Sequence, residues 1–206
     1  MPYPPKLAAA LSGATVRELA HWRRMDMSRK AVLIPEISQR PILYSFRDVL
    51  ALRTYVKLRN DASLQKIRQA LGTLRYDIQE CEHLLMYRLV TAGGTVHLAE
   101  PGQAADLAPG KANAVVHDLV GVLRPFRHDG WYVPDLLRPR RHVTVDPSIR
   151  GGMPVVEGTR VPYGEVAALL RDGVPAERII EYYPSVTAAG ALEAADFADY
   201  VDAMSK

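Results

Sequence analysis

Arg17, His21 and Arg24 stand at i, i+4 and i+7 in the stretch GATVRELAHWRR, residues 13–24. On a helix that spacing puts all three on one outward stripe. Arg23 adds a further cation beside it. Arginine suits both jobs such a stripe could do on a nucleic acid, because its planar fork pairs with guanine edges and with phosphates. The competing reading is a solvated charged surface. A second stretch, GGMPVVEGTR at residues 151–160, has the glycine content of a phosphate-cradling loop. It lacks both the Walker lysine–serine pair and the Gly-x-Gly-x-x-Gly spacing, so the glycines are read as tight turns and Pro162 as a helix start. Arg160 could anchor that turn or reach carboxylates on a partner.

Other chemistry is missing from the pattern. No two of the six histidines have the i, i+4 spacing of a metal-binding helix, and neither a Gly-x-Ser-x-Gly nor a His-Glu-x-x-His motif occurs. Cys81 is the single cysteine, which rules out an intramolecular disulfide and argues against a cysteine-based zinc site. Glu193 and Asp196 read as a solvated helix face, and Tyr182 and Tyr183 as packing residues. The sequence therefore predicts no catalytic residue, no metal site and no cofactor.

The elements that must position these residues follow from capping and punctuation. Pro4 and Pro5 suit a helix start, KLAAAL continues it, and Gly13 supplies a left-handed stop. Thr15 with Glu18 forms a Thr-x-x-Glu capping box for the next helix, giving helix, tight turn, helix. Val16, Leu19 and Ala20 can face the first helix, and Trp22 is expected to bury. Residues 28–43, broken by Pro35 and Pro41, suit a short hairpin. Ser45 caps an amphipathic helix whose apolar face is Val49, Leu52, Val56 and Leu58. Another helix follows Ser63. Two β-like runs flank Gly93-Gly94, VVHDLVGVLRPF fits a strand or a short helix, Asp129-Gly130 marks a turn, and a linker follows. From about Arg141 come a short strand, a helix over 162–172, a helix in PAERIIEYY, and a last helix capped by Thr187.

Composition agrees with a globular chain: 206 residues, of which 48% are hydrophobic and 24% charged. No stretch approaches the roughly 20 apolar residues that span a bilayer. The first residues make too weak an apolar run for a secretory signal. A cytoplasmic protein is expected. The net charge of +3 is unevenly spread. Residues 1–79 carry 14 Lys/Arg against 6 Asp/Glu, residues 80–140 carry 6 against 7, and residues 141–206 carry 6 against 10. A polyanion partner is expected at the basic end, and a different partner at the acidic end.

GATVRELAHWRRMDM resembles the second helix of MerR-type regulators, with Gly13, Thr15, Val16, Arg17, Leu19 and Trp22 at matching places. LYSFRDVLALRTYVKLRNDASLQKIRQAL resembles the stretch after that family's wing. The likeness covers about 75 residues of the sequence. Ala20, His21 and Asp26 depart from the habitual arginine, tyrosine and glycine, so at least one usual phosphate contact must differ. The resemblance implies a winged helix-turn-helix that lays its second helix in the major groove. Thr15, Arg17, His21, Arg23 and Arg24 are then the groove-side candidates, with Arg40, Tyr44 and Arg47 on the wing side.

VDPSIRGGMPVVEGTRVP, followed by a helix, Gly173 and YYPSVT, resembles a family of small bacterial antitoxin modules. Asp146, Pro147, Gly151, Gly152, Pro154, Gly158, Thr159, Arg160, Pro162, Tyr183 and Pro184 all match its signature. The two resemblances together imply a VapB-type antitoxin of a toxin–antitoxin pair. Its fold would be α+β and mainly helical. A winged helix-turn-helix over 1–79, a small β-rich connector over 80–140 and a three-helix, HTH-like antitoxin module over 141–206 would follow one another. The implied partners are a PIN-like, VapC-type ribonuclease toxin, the operon's own promoter as double-stranded DNA, and a second copy of the chain. Arg160, Thr159 and Tyr183 are the partner-binding candidates. The alternative is a stand-alone MerR-like regulator whose C-terminal domain senses a ligand or dimerises.

Overall fold

The computed structural model describes residues 3–24, 33–58, 88–92, 95–99 and 115–204. The fold over these residues is α+β, with helices and small antiparallel sheets. Helix α1 spans Pro5–Ser12 and α2 spans Val16–Arg23. Gly13 joins them with φ 82°, its N–H donating to the Ala9 carbonyl at 2.9 Å. Only glycine fits here, for two reasons: the conformation is left-handed, and a Cβ would stand 2.8 Å from Val133. The capping box of α2 is complete. Thr15 Oγ1 accepts from the Glu18 N–H at 3.1 Å, and the Glu18 carboxylate accepts from the Thr15 N–H at 2.8 Å.

Strands β1 (Ser38–Gln39) and β2 (Ile42–Leu43) form a two-residue ladder. Helix α3, Phe46–Leu58, starts with a reciprocal cap. Ser45 Oγ accepts from the Asp48 N–H at 2.9 Å, and Asp48 Oδ2 accepts from the N–H groups of Ser45 at 3.0 Å and Glu36 at 2.8 Å. Val49, Leu52 and Val56 of its expected apolar face are buried. The helix expected after Ser63 and the Gly93-Gly94 turn lie outside the described residues.

In the middle of the chain β3 (Arg88–Ala92) is the central strand of a three-stranded antiparallel sheet. Its neighbours are β4 (Thr95–Ala99) and β5 (Val115–Asp118). The stretch expected to be strand or helix is both, because α4 (Leu119–Leu123) follows β5 directly. Strands β6 (Phe126–His128) and β7 (Trp131–Val133) form a hairpin around Asp129-Gly130, which has positive φ at both positions, as a type I′ turn requires.

The stretch after this hairpin is not the expected linker. Val133, Leu136, Val143 and Val145 are buried, and their backbone is fixed by Leu136 N–H to Leu123 O and Val145 N–H to Leu137 O, both 2.8 Å. Its prolines and arginines resemble linker composition, but the apolar residues among them face inward.

The tail begins with β8 (Val143–Thr144), paired with β9 (Val155–Val156). A 3-10 turn, Arg150–Gly152, lies between them. Helix α5 spans Tyr163–Arg171 and α6 spans Ala188–Ala203, the latter capped by Thr187 Oγ1 accepting from the Gly190 N–H. The segment expected as a helix in PAERIIEYY is a 3-10 helix over Ala176–Glu181, closed in between Pro175 and Pro184.

The main core joins the front of the chain to its end. Leu7, Leu11, Leu19, Leu50 and Leu52 pack in one cluster with Val122, Leu136, Phe197, Val201 and Met204. A smaller cluster inside the tail holds Val156, Val166, Ile179, Val186 and Ala194. At the seam, the Tyr3 hydroxyl donates to the Gly152 carbonyl. Gly152 has φ 86°, and a Cβ there would stand 2.5 Å from the Tyr3 hydroxyl and 3.2 Å from the Phe46 ring.

Arg53 crosslinks this core and is wholly buried. Its guanidinium donates to five carbonyl oxygens: Val122 and Leu11 at 2.5 Å, Pro134 at 2.7 Å, Arg124 at 2.8 Å and Leu123 at 3.1 Å. The Phe126 ring lies 4.9 Å from it. Burial pulls its pKa down to about 10, partly offset by the Asp135 carboxylate. Arg53 thereby ties α1, α3, α4 and the approach to the β6–β7 hairpin into one unit. On the sequence it is one cation among many on an amphipathic helix.

Candidate nucleic-acid interface

Helix α2 has two unlike faces. Leu19 is 1% exposed, and Trp22 meets Tyr55 edge-on with ring centroids 5.1 Å apart. On the other side Thr15, Arg17, His21 and Arg24 are all exposed. Among the described residues the side chains of Arg17, His21 and Arg24 have no hydrogen-bond or ion-pair partner. The 3.6-residue period dictates this separation within the helix, where residues 19 and 22 diverge from 17 and 21. Arg24, expected on the same helical stripe, is instead the extended C-cap that follows it, with φ −72° and ψ 142°. Arg23 differs from its neighbours. It is half-buried, with its guanidinium beside the Tyr44 hydroxyl.

The wing-side candidates fare unequally. Arg40 is exposed in the turn between β1 and β2. Arg47 is half-buried and paired with Glu36 at 3.1 Å, while Glu36 also accepts from Ser45 Oγ at 2.8 Å. Its first role is therefore to fasten the loop before α3. Tyr44 is a correction. Its ring is fully buried, and its backbone exchanges hydrogen bonds with Tyr3 at 2.8 and 2.9 Å, so its side chain cannot meet a ligand at the surface. Burial raises its pKa, opposed by the Arg23 cation. The sequence hint was available: Tyr44 precedes the capped helix start, a position that often packs inward as half of a hydrophobic staple.

The tail candidates divide in the same way. Thr159 Oγ1 donates to the Val156 carbonyl at 2.8 Å and accepts from the Val161 N–H at 3.0 Å, which closes the Gly-Thr-Arg turn on itself. Tyr183 donates to Glu165 at 3.0 Å, and that carboxylate is 3.8 Å from Arg150. Burial and the Glu165 carboxylate both push the Tyr183 hydroxyl up. Arg160 is exposed and has no side-chain partner among the described residues, so Thr159 rather than Arg160 anchors the turn.

Three expectations about the tail need correcting. Tyr182 is 51% exposed, as are Ile180 at 56% and Leu192 at 57%. Tyr182 is therefore a surface residue, not a packing one. Glu193 accepts from the His142 N–H at 2.7 Å, and Asp196 pairs with Arg140. Both acids thus hold the strand region against α6 rather than only facing water. Among the described residues, no group of three or more His, Cys, Asp or Glu is placed to hold a metal ion. No described helix is long and apolar enough to cross a membrane.

The fold and this surface define an α+β protein with an exposed cationic helix face near one end. Residues 143–198 match the family described as "Protein of unknown function (DUF433)". A curated relative, "Uncharacterized protein y4eO" of Sinorhizobium fredii (strain NBRC 101917 / NGR234), is 43% identical over 76 residues, which is 36% of this chain and 34% of the relative. The chain thus spans about a third of the length of the curated relative it matches. No solved structure matches.

Proposed function

We propose that this chain is a DNA-binding antitoxin of the VapB type. Residues 1–79 would act as a winged helix-turn-helix, with α2 in the major groove and the β1–β2 turn near the backbone. The single observation that supports the DNA half best is the two-faced helix α2. Its apolar side is locked into the core, while Arg17, His21 and Arg24 reach water with no partner among the described residues. A rigid helix carrying free cations is what major-groove docking needs, because phosphate contacts supply affinity and arginine forks supply readout. One such helix binds weakly, so a symmetric dimer on a palindromic site completes the reading.

The tail would bind and silence a PIN-like ribonuclease. What supports this is that Ile180, Tyr182 and Leu192 of the tail are exposed and Arg160 is unengaged among the described residues. Exposed apolar and aromatic side chains, together with an unengaged arginine in the same module, are residue types enriched in protein interfaces. The experiment is co-expression with the product of the adjacent reading frame. The two proteins are expected to co-purify, with loss of ribonuclease activity, and the pair should shift a duplex from upstream of the operon. If the neighbour stays toxic and separate while the duplex still shifts, the tail reading fails and a stand-alone regulator remains.

A further inference from the structure

A groove of about 530 Å³ opens between the start of α2 and the β6–β7 turn, with the end of α6 as its third wall. That volume lies within the roughly 300–1,000 Å³ of small-molecule pockets. We propose that this groove is a binding site for a small aromatic anion, and that its occupation withdraws Arg17 from DNA; only the second part rests on the DNA reading above.

The chemistry of the walls points to that class of ligand. Val16, Ala20 and Met204 contribute apolar surface. Trp131 is 49% exposed although it is the largest apolar side chain of its hairpin. Its indole is a wall against which a flat ring can stack. Arg17 supplies a cation with no partner among the described residues, in the fork geometry that a carboxylate or sulfonate matches. Asp129, the acidic residue of the lining, lies 3.4 Å from His128 Nε2 on the hairpin wall. The acid group of the ligand is therefore assigned to the α2 wall.

The groove is preorganised, because its three walls are tied to one another. Gly13, at the foot of α2, packs against Val133 and Phe126 of the hairpin. The Tyr200 hydroxyl on α6 meets the Tyr132 carbonyl at 2.9 Å and the Ala10 carbonyl at 3.1 Å. A site that needs no ordering on binding keeps more of its contact energy as affinity. Arg17 also belongs to the outward stripe of α2, so an acid bound there and a DNA phosphate or base would compete for one guanidinium.

Anilinonaphthalene sulfonate tests this, since it is an aromatic anion whose emission rises on leaving water. The full-length chain is expected to bind it saturably, and Arg17→Ala and Trp131→Ala each to weaken binding by about tenfold, a loss of ~1.4 kcal/mol. Arg141→Ala, an exposed arginine elsewhere, is expected to leave the titration unchanged. Phenylnaphthylamine, the same rings without the acid group, should not distinguish wild type from Arg17→Ala. In a competition, the probe should release a duplex from upstream of the operon from the wild type but not from Trp131→Ala. Circular dichroism shows whether each variant keeps its fold. Probe emission indifferent to both Arg17→Ala and Trp131→Ala overturns the site, even where duplex binding depends on Arg17. Probe binding that needs both residues, in a chain that never binds duplex, upholds the site and removes the DNA reading instead.

Discussion

The arginines at the front of the chain and those at the back are used differently. Arg17 on α2 and Arg24 at its C-cap reach solvent with no partner among the described residues. In the tail, Arg171 is shared between Asp199 at 2.7 Å and Asp202 at 2.9 Å, and Arg178 pairs with Glu181 at 2.8 Å, while just ahead of the tail Arg138 pairs with Glu157 at 2.8 Å. Arg140 lies against Asp196 and over the Phe197 and Tyr200 rings. Arg141 and Arg160 are the exposed exceptions. The net charge of a segment therefore misleads about its surface. Several of the tail's acids are paired with arginines of the tail or of the segment just before it, whereas Arg17 and Arg24 have no such partner among the described residues. A partner of the tail would meet Ile180, Tyr182, Leu192 and Arg160 rather than a bare acidic field.

The contrast can be broken first through the front-half arginine that is fully engaged. Arg53→Leu should destabilise the chain by about 4 kcal/mol or more, because five carbonyl oxygens lose their donor in a dry core. Arg53→Lys should recover little, since an ammonium offers three donors and no fork. Urea denaturation measures both.

The seam between front and back comes next. Gly152→Ala should cost about 2–3 kcal/mol, because the left-handed φ disfavours a Cβ and the Tyr3 hydroxyl and Phe46 occupy its space. A wild-type denaturation midpoint would show that the tail does not need this contact with the front.

Lys57 sharpens the account through pH. Burial first, and the neighbouring Arg53 cation second, lower its pKa to about 8. The unfolded chain holds that proton up to the ordinary lysine range, so between about pH 8 and 10 the unfolded state binds more protons. This residue's contribution to stability therefore rises with pH across that window. Lys57→Met should abolish that rise, as read from thermal unfolding at several pH values.

The smallest effects on stability belong to the exposed pairs and the stripe. Arg171→Ala should cost less than about 1 kcal/mol, less still at high salt. Arg17→Ala with Arg24→Ala should stay within about 0.5 kcal/mol, since neither side chain has a polar partner among the described residues.

Local rules carried much of this fold from sequence. The Thr15–Glu18 box, Gly13, Ser45, the Asp129-Gly130 turn, Thr187 and the two-faced pattern of α2 all act over a few residues, and each stands where the pattern placed it. What escaped was long-range. The carbonyl cage of Arg53 joins residues more than forty positions apart, and no periodicity announces it. The burial of Tyr44 depends on Tyr3, and the inward turn of residues 133–145 depends on α6 and α3 filling the space opposite. The groove at Trp131 is of the same kind, since its walls come from three distant segments.

The most direct measurement is anisotropy of a labelled duplex from upstream of the operon, titrated with wild type and with the Arg17→Ala, Arg24→Ala double variant across a range of salt. The account predicts a wild-type affinity that falls steeply with salt, by ~10³ between about 50 and 200 mM for about six phosphate contacts. It also predicts a double variant weakened by about 1–3 kcal/mol for each base-edge hydrogen-bonding arginine removed, with its fold intact. Equal affinities and equal salt slopes for the two proteins would contradict it, and the stripe on α2 would then be a solvated surface.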